Sequence, residues 1–162
     1  MTDITYRPAT SDDAAFLRRM LAEAFNWRGD SDFDPAVLNR PEVSHYIDGW
    51  MTATDFGVIA ERSGHPAGAA WARFLPASDR GYGYVADDIP ELTLAVAPEH
   101  RGNRIGPALL EALVNQGRRL DLPGISLSVE DGNLARKLYH RQGFIVVGRN
   151  GDSDTLLKRF RP

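Results

Sequence analysis

The sequence has no cysteine, no long hydrophobic run and no continuous basic stretch among its 162 residues. The lack of cysteine excludes a disulfide framework, a thiolate metal site, an iron–sulfur cluster and a cysteine nucleophile. The apolar runs are much shorter than the ~18–20 residues of a membrane-spanning helix, and residues 1–6 lack the basic and apolar regions of a signal peptide. We therefore expect a cytoplasmic protein without a membrane partner.

Charge is distributed unevenly along the chain. The net charge is -3, but residues 1–60 hold ten acids against five arginines, whereas residues 97–119 hold four arginines and two glutamates. Nucleic-acid binding is not expected, because no basic stripe could follow a phosphate backbone. The acidic front and the basic middle instead favour two ligand sites of opposite charge.

The apolar and charged fractions, 43% and 25%, are those of a globular protein, and no repeat or linker divides the chain. Residues 1–162 are therefore expected to form a single domain. Hydrophobic periodicity and turn signals predict an α/β fold with a mixed sheet and helices on both faces. Strands are predicted at 4–7, 56–61, 68–75, 89–96, 125–129, 143–148 and 155–160, and helices at 11–25, 43–50, 105–120 and 133–141.

The segment 96–110 runs from a strand end through a glycine-bearing turn into a helix. A helix start carries unpaired N–H groups and about half a positive charge, so with Arg101 and Arg104 beside it this turn suits a phosphate group. It is neither a dinucleotide fingerprint nor a P-loop, because Gly102 and Gly106 complete neither pattern. A plain strand-to-helix turn is the alternative.

A second segment, 133–144, supports the phosphate interpretation. Together the two segments resemble the GNAT superfamily of acyl-CoA-dependent N-acyltransferases. The first motif of that family, V-x-P-x-x-R-G-x-G-x-G-x-x-L-L, is matched at Val96, Pro98, Arg101, Gly102, Gly106, Leu109 and Leu110. The second, N-x-A-x-x-L-Y-x-x-x-G-F, is matched at Asn133, Ala135, Leu138, Tyr139, Gly143 and Phe144.

The resemblance implies a mostly antiparallel sheet of six to seven strands with a splayed central pair, and acetyl-CoA as the cosubstrate. It implies that backbone amides in the loop hold the pyrophosphate, that Arg101 adds charge, that Asn133 binds the pantetheine region, and that one strand end lies beside the thioester. The implied CoA-binding residues are Leu94, Ala95, Val96, Arg101, Gly102, Asn103, Arg104, Ile105, Gly106 and Asn133. Arg104 replaces the central glycine of the motif, so its side chain must point away from the ligand or bind it through charge.

The chemistry of acyl transfer requires a proton donor for the leaving thiolate and a base for the amine. By resemblance Tyr139 lies beside the sulfur, and because a phenol has a pKa near 10 it is our candidate acid. Its alternative role is packing between helix and sheet. Glu91 opens the strand that ends at the loop and is the candidate base, with a polar strand-edge residue as the alternative. No metal is expected, since His45, His65, His100 and His140 lack ligand spacing and are expected at the surface.

The expected acceptor is an amine of a small molecule or of a peptide or protein. We expect it to enter by the acidic N-terminal region and the Gly81–Tyr84 loop, drawn by Glu23, Asp30, Asp32 and Asp34. Two functions stay open: an acetyl-CoA-dependent N-acetyltransferase, and a CoA-binding regulatory or sensor protein with little turnover. A homodimer stays open as well.

Overall fold

The structure is a computed structural model that describes residues 3–161. Its centre is one mixed sheet of seven strands in the order β1-β2-β3-β4-β5-β7-β6. The strands are Ile4–Pro8 (β1), Phe56–Arg62 (β2), His65–Arg73 (β3), Glu91–Val96 (β4), Gly124–Glu130 (β5), Ile145–Asn150 (β6) and Ser153–Arg159 (β7). The α-helices are Ala14–Phe25 (α1), Pro41–Ser44 (α2), Ile105–Arg119 (α3) and Ala135–Arg141 (α4). This architecture confirms the predicted mixed sheet and its strand number.

Helices cover both faces of the sheet. On one face, α3 and α4 bury Leu109, Leu113 and Tyr139 against the alternate residues of the strands, such as Leu127. On the other face, α1 and the segment after α2 bury residues such as Leu17, Tyr46 and Ile47 against Trp71 and its neighbours. Because successive strand residues point to opposite faces, β2, β3 and β4 each contribute to both cores.

A capping pair, Thr10 and Asp13, precedes α1. Thr10 Oγ1 accepts a hydrogen bond from the Asp12 amide at 3.2 Å, and Asp13 Oδ2 accepts one from the Thr10 amide at 2.7 Å. These reciprocal bonds satisfy amides that have no partner within the helix. The first turn, Ser11–Asp13, is a 3-10 helix, and the α-helix begins at Ala14.

The sheet opens between β4 and β5, the parallel pair at its centre. The register holds a single pair, Glu91 with Ser126, beside a hydrogen bond of 3.0 Å from the Ser126 amide to the Pro90 carbonyl. The Ala97 amide bonds the Ala67 carbonyl, so by the two-residue period the backbone groups of Leu94 and Val96 point away from β3 and into the gap. The splayed strand pair implied by the family resemblance is therefore present.

Several predicted elements differ in extent from the observed ones, and two of the differences have a clear physical reason. The second helical region, predicted over 43–50, is a four-residue helix followed by turns, because the same apolar spacing is met by side chains buried from irregular backbone. The strand predicted at 143–148 begins at Ile145 after Gly143, whose φ of 91° ends the α4 segment. Among residues 3–161, no helix is long and apolar enough to cross a bilayer.

Candidate active site

A cavity of about 480 Å³ lies at the gap between β4 and β5. It is lined from both faces of the sheet: Phe25, Trp27 and Tyr46 come from the α1 face, and Leu92 and Tyr139 come from the α3 and α4 face. The gap thus forms a passage through the sheet. The lining also includes Tyr82, Glu91, Leu94, Glu130, Asn133 and Asp152.

The loop before α3 presents backbone donors. The amides of Gly102, Asn103 and Arg104 have no backbone acceptor among residues 3–161, and the first amides of α3 have none within the helix. Gly102 has a φ of 84° and Arg104 a φ of 58°. Left-handed backbone costs roughly 1–2 kcal/mol for an L-residue, which explains in physical terms why a glycine suits position 104. The Arg104 side chain is exposed.

Two side chains of this loop have partners within the protein. Arg101 donates to the carboxylate of Glu23 and to the Val96 carbonyl, each at 3.4 Å. Asn103 Nδ2 donates to the His100 carbonyl at 3.0 Å, so this side chain stabilises the loop. The backbone amides, together with the exposed cation of Arg104, are the groups that the loop offers to an anion.

The residues expected along the pantetheine arm fall into two sets. Leu94 and Val96 direct backbone groups into the gap, whereas Ala95 pairs with Ala69 of β3 and has its side chain buried on the α1 face. Asn133 lines the cavity and its Oδ1 accepts a hydrogen bond of 3.0 Å from the Ala135 amide at the start of α4. Its amide group is thereby held in one orientation.

Tyr139 lies on α4 with 6% of its surface exposed, and it borders the cavity. Its ring packs edge-on against Phe144 at 5.8 Å, and its hydroxyl makes no hydrogen bond to any of residues 3–161. Burial raises the pKa of Tyr139 above its usual value of 10.0, because the phenolate would be poorly solvated. The hydroxyl is therefore a protonated donor throughout the neutral range.

Glu91 begins β4 with only 5% of its surface exposed, so it is not a polar residue at a solvated strand edge. Oε2 accepts a hydrogen bond of 2.6 Å from the Tyr46 hydroxyl, while Oε1 is buried and has no hydrogen-bond partner of good geometry among the described residues. Burial raises the pKa of Glu91 to about 7, although the Tyr46 hydroxyl and the nearby Gly83 amide oppose the rise. A carboxylate with this pKa can exchange a proton at neutral pH.

Tyr46 is a site residue that the sequence motifs did not single out. Its hydroxyl donates to Glu91 and accepts the Tyr82 amide at 2.8 Å, and its carbonyl accepts the Trp71 indole N–H at 2.8 Å. The contact with Glu91 spans 45 residues of sequence, so no local pattern could have found it. The one feature of the sequence that points to this region is the Gly81-Tyr82-Gly83 segment, since its two glycines indicate a close approach of backbone to neighbouring atoms.

Gly81 covers the Glu91 carboxylate, and its replacement by alanine is expected to destabilise the protein by about 1–3 kcal/mol. A Cβ at position 81 would overlap Glu91 Oε1 and would lie 2.7 Å from the Tyr46 hydroxyl. Gly148→Ala is the matched control, because its Cβ would lie at an ordinary 3.7 Å from Thr155. Denaturant unfolding measures both variants, and equal stabilities would show that the loop moves aside without cost.

None of the four acids expected at the acceptor entrance lines the cavity. Glu23 pairs with Arg101 beside the loop, and Asp30, Asp32 and Asp34 are exposed and do not line the cavity. The carboxylates that do line it are Glu91, Glu130 and Asp152, and no lysine, arginine or histidine is among its lining residues. The loop at Tyr82 lines the cavity as expected.

One histidine, His45, does not lie at the surface as expected. His45 is buried at 8% exposure, with Nδ1 at 3.0 Å from Asp79, rather than at the surface. It packs edge-on against Tyr46 at 4.7 Å. Within residues 3–161, no group of three His, Asp or Glu side chains gathers as metal ligands would.

Solved structures with this arrangement are acetyltransferases of the GNAT fold. The PaiA N-acetyltransferase of Thermoplasma acidophilum, in complex with coenzyme A, matches 98% of this chain and 99% of its own with a TM-score of 0.71 at 16% identity. YncA of Salmonella typhimurium, with acetyl-CoA, matches 99% and 95% with a TM-score of 0.70 at 21% identity. At such identities the likeness establishes the fold.

The family follows from the sequence comparison. The model of the acetyltransferase (GNAT) family matches residues 16–144, and the chain belongs to this family. The chain is also similar to mycothiol acetyltransferase of Acidimicrobium ferrooxidans, with 30% identity over 145 residues, or 88% of this chain. It spans 43% of the length of that relative.

Proposed function

We propose that the protein is an acetyl-CoA-dependent N-acetyltransferase that transfers the acetyl group to a primary amine by direct attack in a ternary complex. The observation that carries the proposal is the passage through the sheet, which has Tyr139 on one face and Glu91 on the other. Two substrates entering from opposite faces would meet between a proton donor and a proton acceptor.

The chain offers groups that fit acetyl-CoA. The free amides of Gly102 to Gly106 suit the pyrophosphate, with the exposed Arg104 as an added cation and Arg101 once it leaves Glu23. The backbone groups of Leu94 and Val96 and the amide of Asn133 suit the pantetheine arm. When bound, acetyl-CoA supplies an acetyl thioester that an amine can attack.

An acceptor amine must lose a proton before or during attack. An alkylamine with a pKa near 10.4 is neutral only about once in 2,500 molecules at pH 7, which costs ~4.6 kcal/mol. Glu91 offsets part of this cost as a proton acceptor, because its pKa of about 7 leaves much of it ionised at neutral pH. Tyr139 holds a proton at its hydroxyl for the departing sulfur.

Release of free thiol from acetyl-CoA tests the proposal directly. The acceptors are spermidine, tryptamine, lysine amide and a peptide with an N-terminal alanine, and mass spectrometry identifies the acetylated product. We expect thiol release to depend on at least one amine. Tight acetyl-CoA binding without acetylation of any of the four would favour a sensor role, which the arginine in the place of the motif glycine suggests.

Charge reversal at the loop tests the location of the cosubstrate. In Arg104→Glu, a carboxylate would replace a cation beside the proposed pyrophosphate site, so acetyl-CoA affinity should fall by at least ~1 kcal/mol in calorimetry. Arg119→Glu makes the same change at the far end of α3, about 20 Å away and beyond the ~10 Å screening length. If both variants bind acetyl-CoA equally well, the pyrophosphate lies elsewhere.

A further inference from the structure

We propose that Tyr46 takes the proton from the acceptor amine and passes its own hydroxyl proton to Glu91, so that the two residues act as one base. The inference rests on the proposed function, because it concerns the same transfer to an amine. It assigns contact with the acceptor to Tyr46 and places Glu91 behind it.

Neither oxygen of Glu91 is free to meet an amine. Oε2 is buried and faces the Tyr46 hydroxyl, from which it accepts a hydrogen bond with 2.6 Å between the two oxygens. Oε1 is buried beneath Gly81, where even one added methyl group would overlap it. Gly83 closes the loop onto β5, since a Cβ there would lie 2.5 Å from the Leu127 carbonyl carbon. Direct transfer to the carboxylate would therefore require the loop to leave.

The Tyr46 oxygen keeps one position at which it can accept a further hydrogen bond. A hydroxyl donates one hydrogen bond and accepts two. Tyr46 donates to Glu91 and accepts the Tyr82 amide, which leaves one acceptor position, and the residue borders the cavity. An amine N–H can use that position.

The protein holds Tyr46 rigidly. Its carbonyl is bound by the Trp71 indole, and its ring packs against Phe25 at 6.4 Å and against His45 at 4.7 Å. Burial together with Glu91 raises the pKa of Tyr46, so the phenol is protonated before reaction. It then acts as a carrier of protons rather than as a phenolate.

Proton balance is simple. The amine nitrogen forms its bond to the acetyl carbon and gives one proton to the Tyr46 oxygen. The bond from the acetyl carbon to sulfur breaks, and the leaving thiolate takes the Tyr139 proton, which solvent then replaces. The Tyr46 hydroxyl proton moves to Glu91 Oε2, so tyrosine is regenerated and Glu91 becomes a carboxylic acid. Glu91 later returns the proton to solvent, and no other reactant is needed.

The other groups around Glu91 do not compete for this proton. Arg73 lies opposite Glu91 in the β3 register, but its guanidinium is bound to Asp55 at 3.0 Å. Ser126, opposite on β5, contributes an uncharged hydroxyl. The Gly81–Gly83 segment contributes backbone amides and the phenol of Tyr82, whose pKa is raised by burial, so that it stays protonated. From α1, the cavity receives the uncharged side chain of Phe25.

Tyr46→Phe tests the relay, measured with the amine of the panel that is acetylated fastest. The variant keeps the ring contacts and the backbone bond to Trp71, and thermal unfolding checks its fold. We expect kcat to fall at least a hundredfold at every pH, with little change in acetyl-CoA affinity. Tyr6→Phe is the matched control, because it removes a hydroxyl from an exposed tyrosine on β1 that does not line the cavity.

Direct transfer to Glu91 predicts a different result. Loss of the Tyr46 hydrogen bond would raise the pKa of Glu91, so the acidic limb of the pH profile would move to higher pH while the plateau stayed within about threefold of wild type. That outcome overturns the relay, as does an equal loss of acetyl-CoA affinity. A wild-type protein inactive with all four amines would instead contradict the proposed function itself.

Discussion

Replacement of Tyr139 by phenylalanine is expected to lower kcat by roughly ten- to a thousandfold. The buried ring would keep its contact with Phe144, whereas the proton for the leaving sulfur would be lost. Because a donor that acts during the reaction contributes little to ground-state binding, the affinity for acetyl-CoA should change little. Steady-state kinetics and calorimetry measure the two quantities separately.

The control for this variant is Tyr6→Phe. Tyr6 is 39% exposed on β1 and does not line the cavity, so its loss of a hydroxyl should leave kcat unchanged. If Tyr139→Phe also retains wild-type kcat, water protonates the sulfur and Tyr139 has a packing role.

Replacement of Glu91 by glutamine is expected to lower kcat/KM by roughly a hundredfold or more and to abolish its acidic limb. The ionised form accepts protons, so the wild-type rate should rise with pH through about 7 and then level off, as far as this group controls it. Glutamine can still accept the Tyr46 hydrogen bond but cannot be protonated in this range. A variant profile that keeps the limb near 7 would assign it to another group.

The same substitution should stabilise the protein at high pH. The unfolded glutamate loses its proton near 4.5 and the folded one near 7, so between these values the folded state binds more protons and wild-type stability falls as the pH rises. Above pH 7 the ionised buried carboxylate costs on the order of 3 kcal/mol, which Glu91→Gln removes. Denaturant unfolding at pH 5 and pH 8 should show the difference between variant and wild type growing with pH.

Local sequence patterns were sufficient for the loop before α3 and for α3 itself. The turn glycine Gly102, the basic residues and the apolar stripe through Leu109 and Leu113 lie within one continuous segment, so their geometry depends on near neighbours. The position of Tyr139 followed from its motif for the same reason. Whether these residues perform the chemistry stays a prediction.

The surroundings of Glu91 could not be predicted from the sequence, because they depend on contacts between distant segments. Tyr46, Tyr82 and Glu91 come from three separate segments and meet only because the loop folds back over β4. Net charge in the first 60 residues did not indicate which acids line the cavity, since exposed acids such as Asp30 and Asp32 need not face it. Glu130 and Asp152 line it because strand pairing brings the ends of β5 and β7 together.

Only one register pair joins β4 to β5, so the sheet consists of two half-sheets, β1–β4 and β5–β7. The backbone hydrogen bonding between them is confined to the region of Pro90 and Ser126. A linear ligand bonded in the gap would act as an added strand and couple their motions. Hydrogen exchange at Leu94 and Val96 should therefore slow when coenzyme A is added, whereas Ala95, already bonded to β3, should exchange slowly in its absence. In this sense a bound cosubstrate would complete the tertiary structure, and the rigidity of the molecule would become a function of coenzyme concentration.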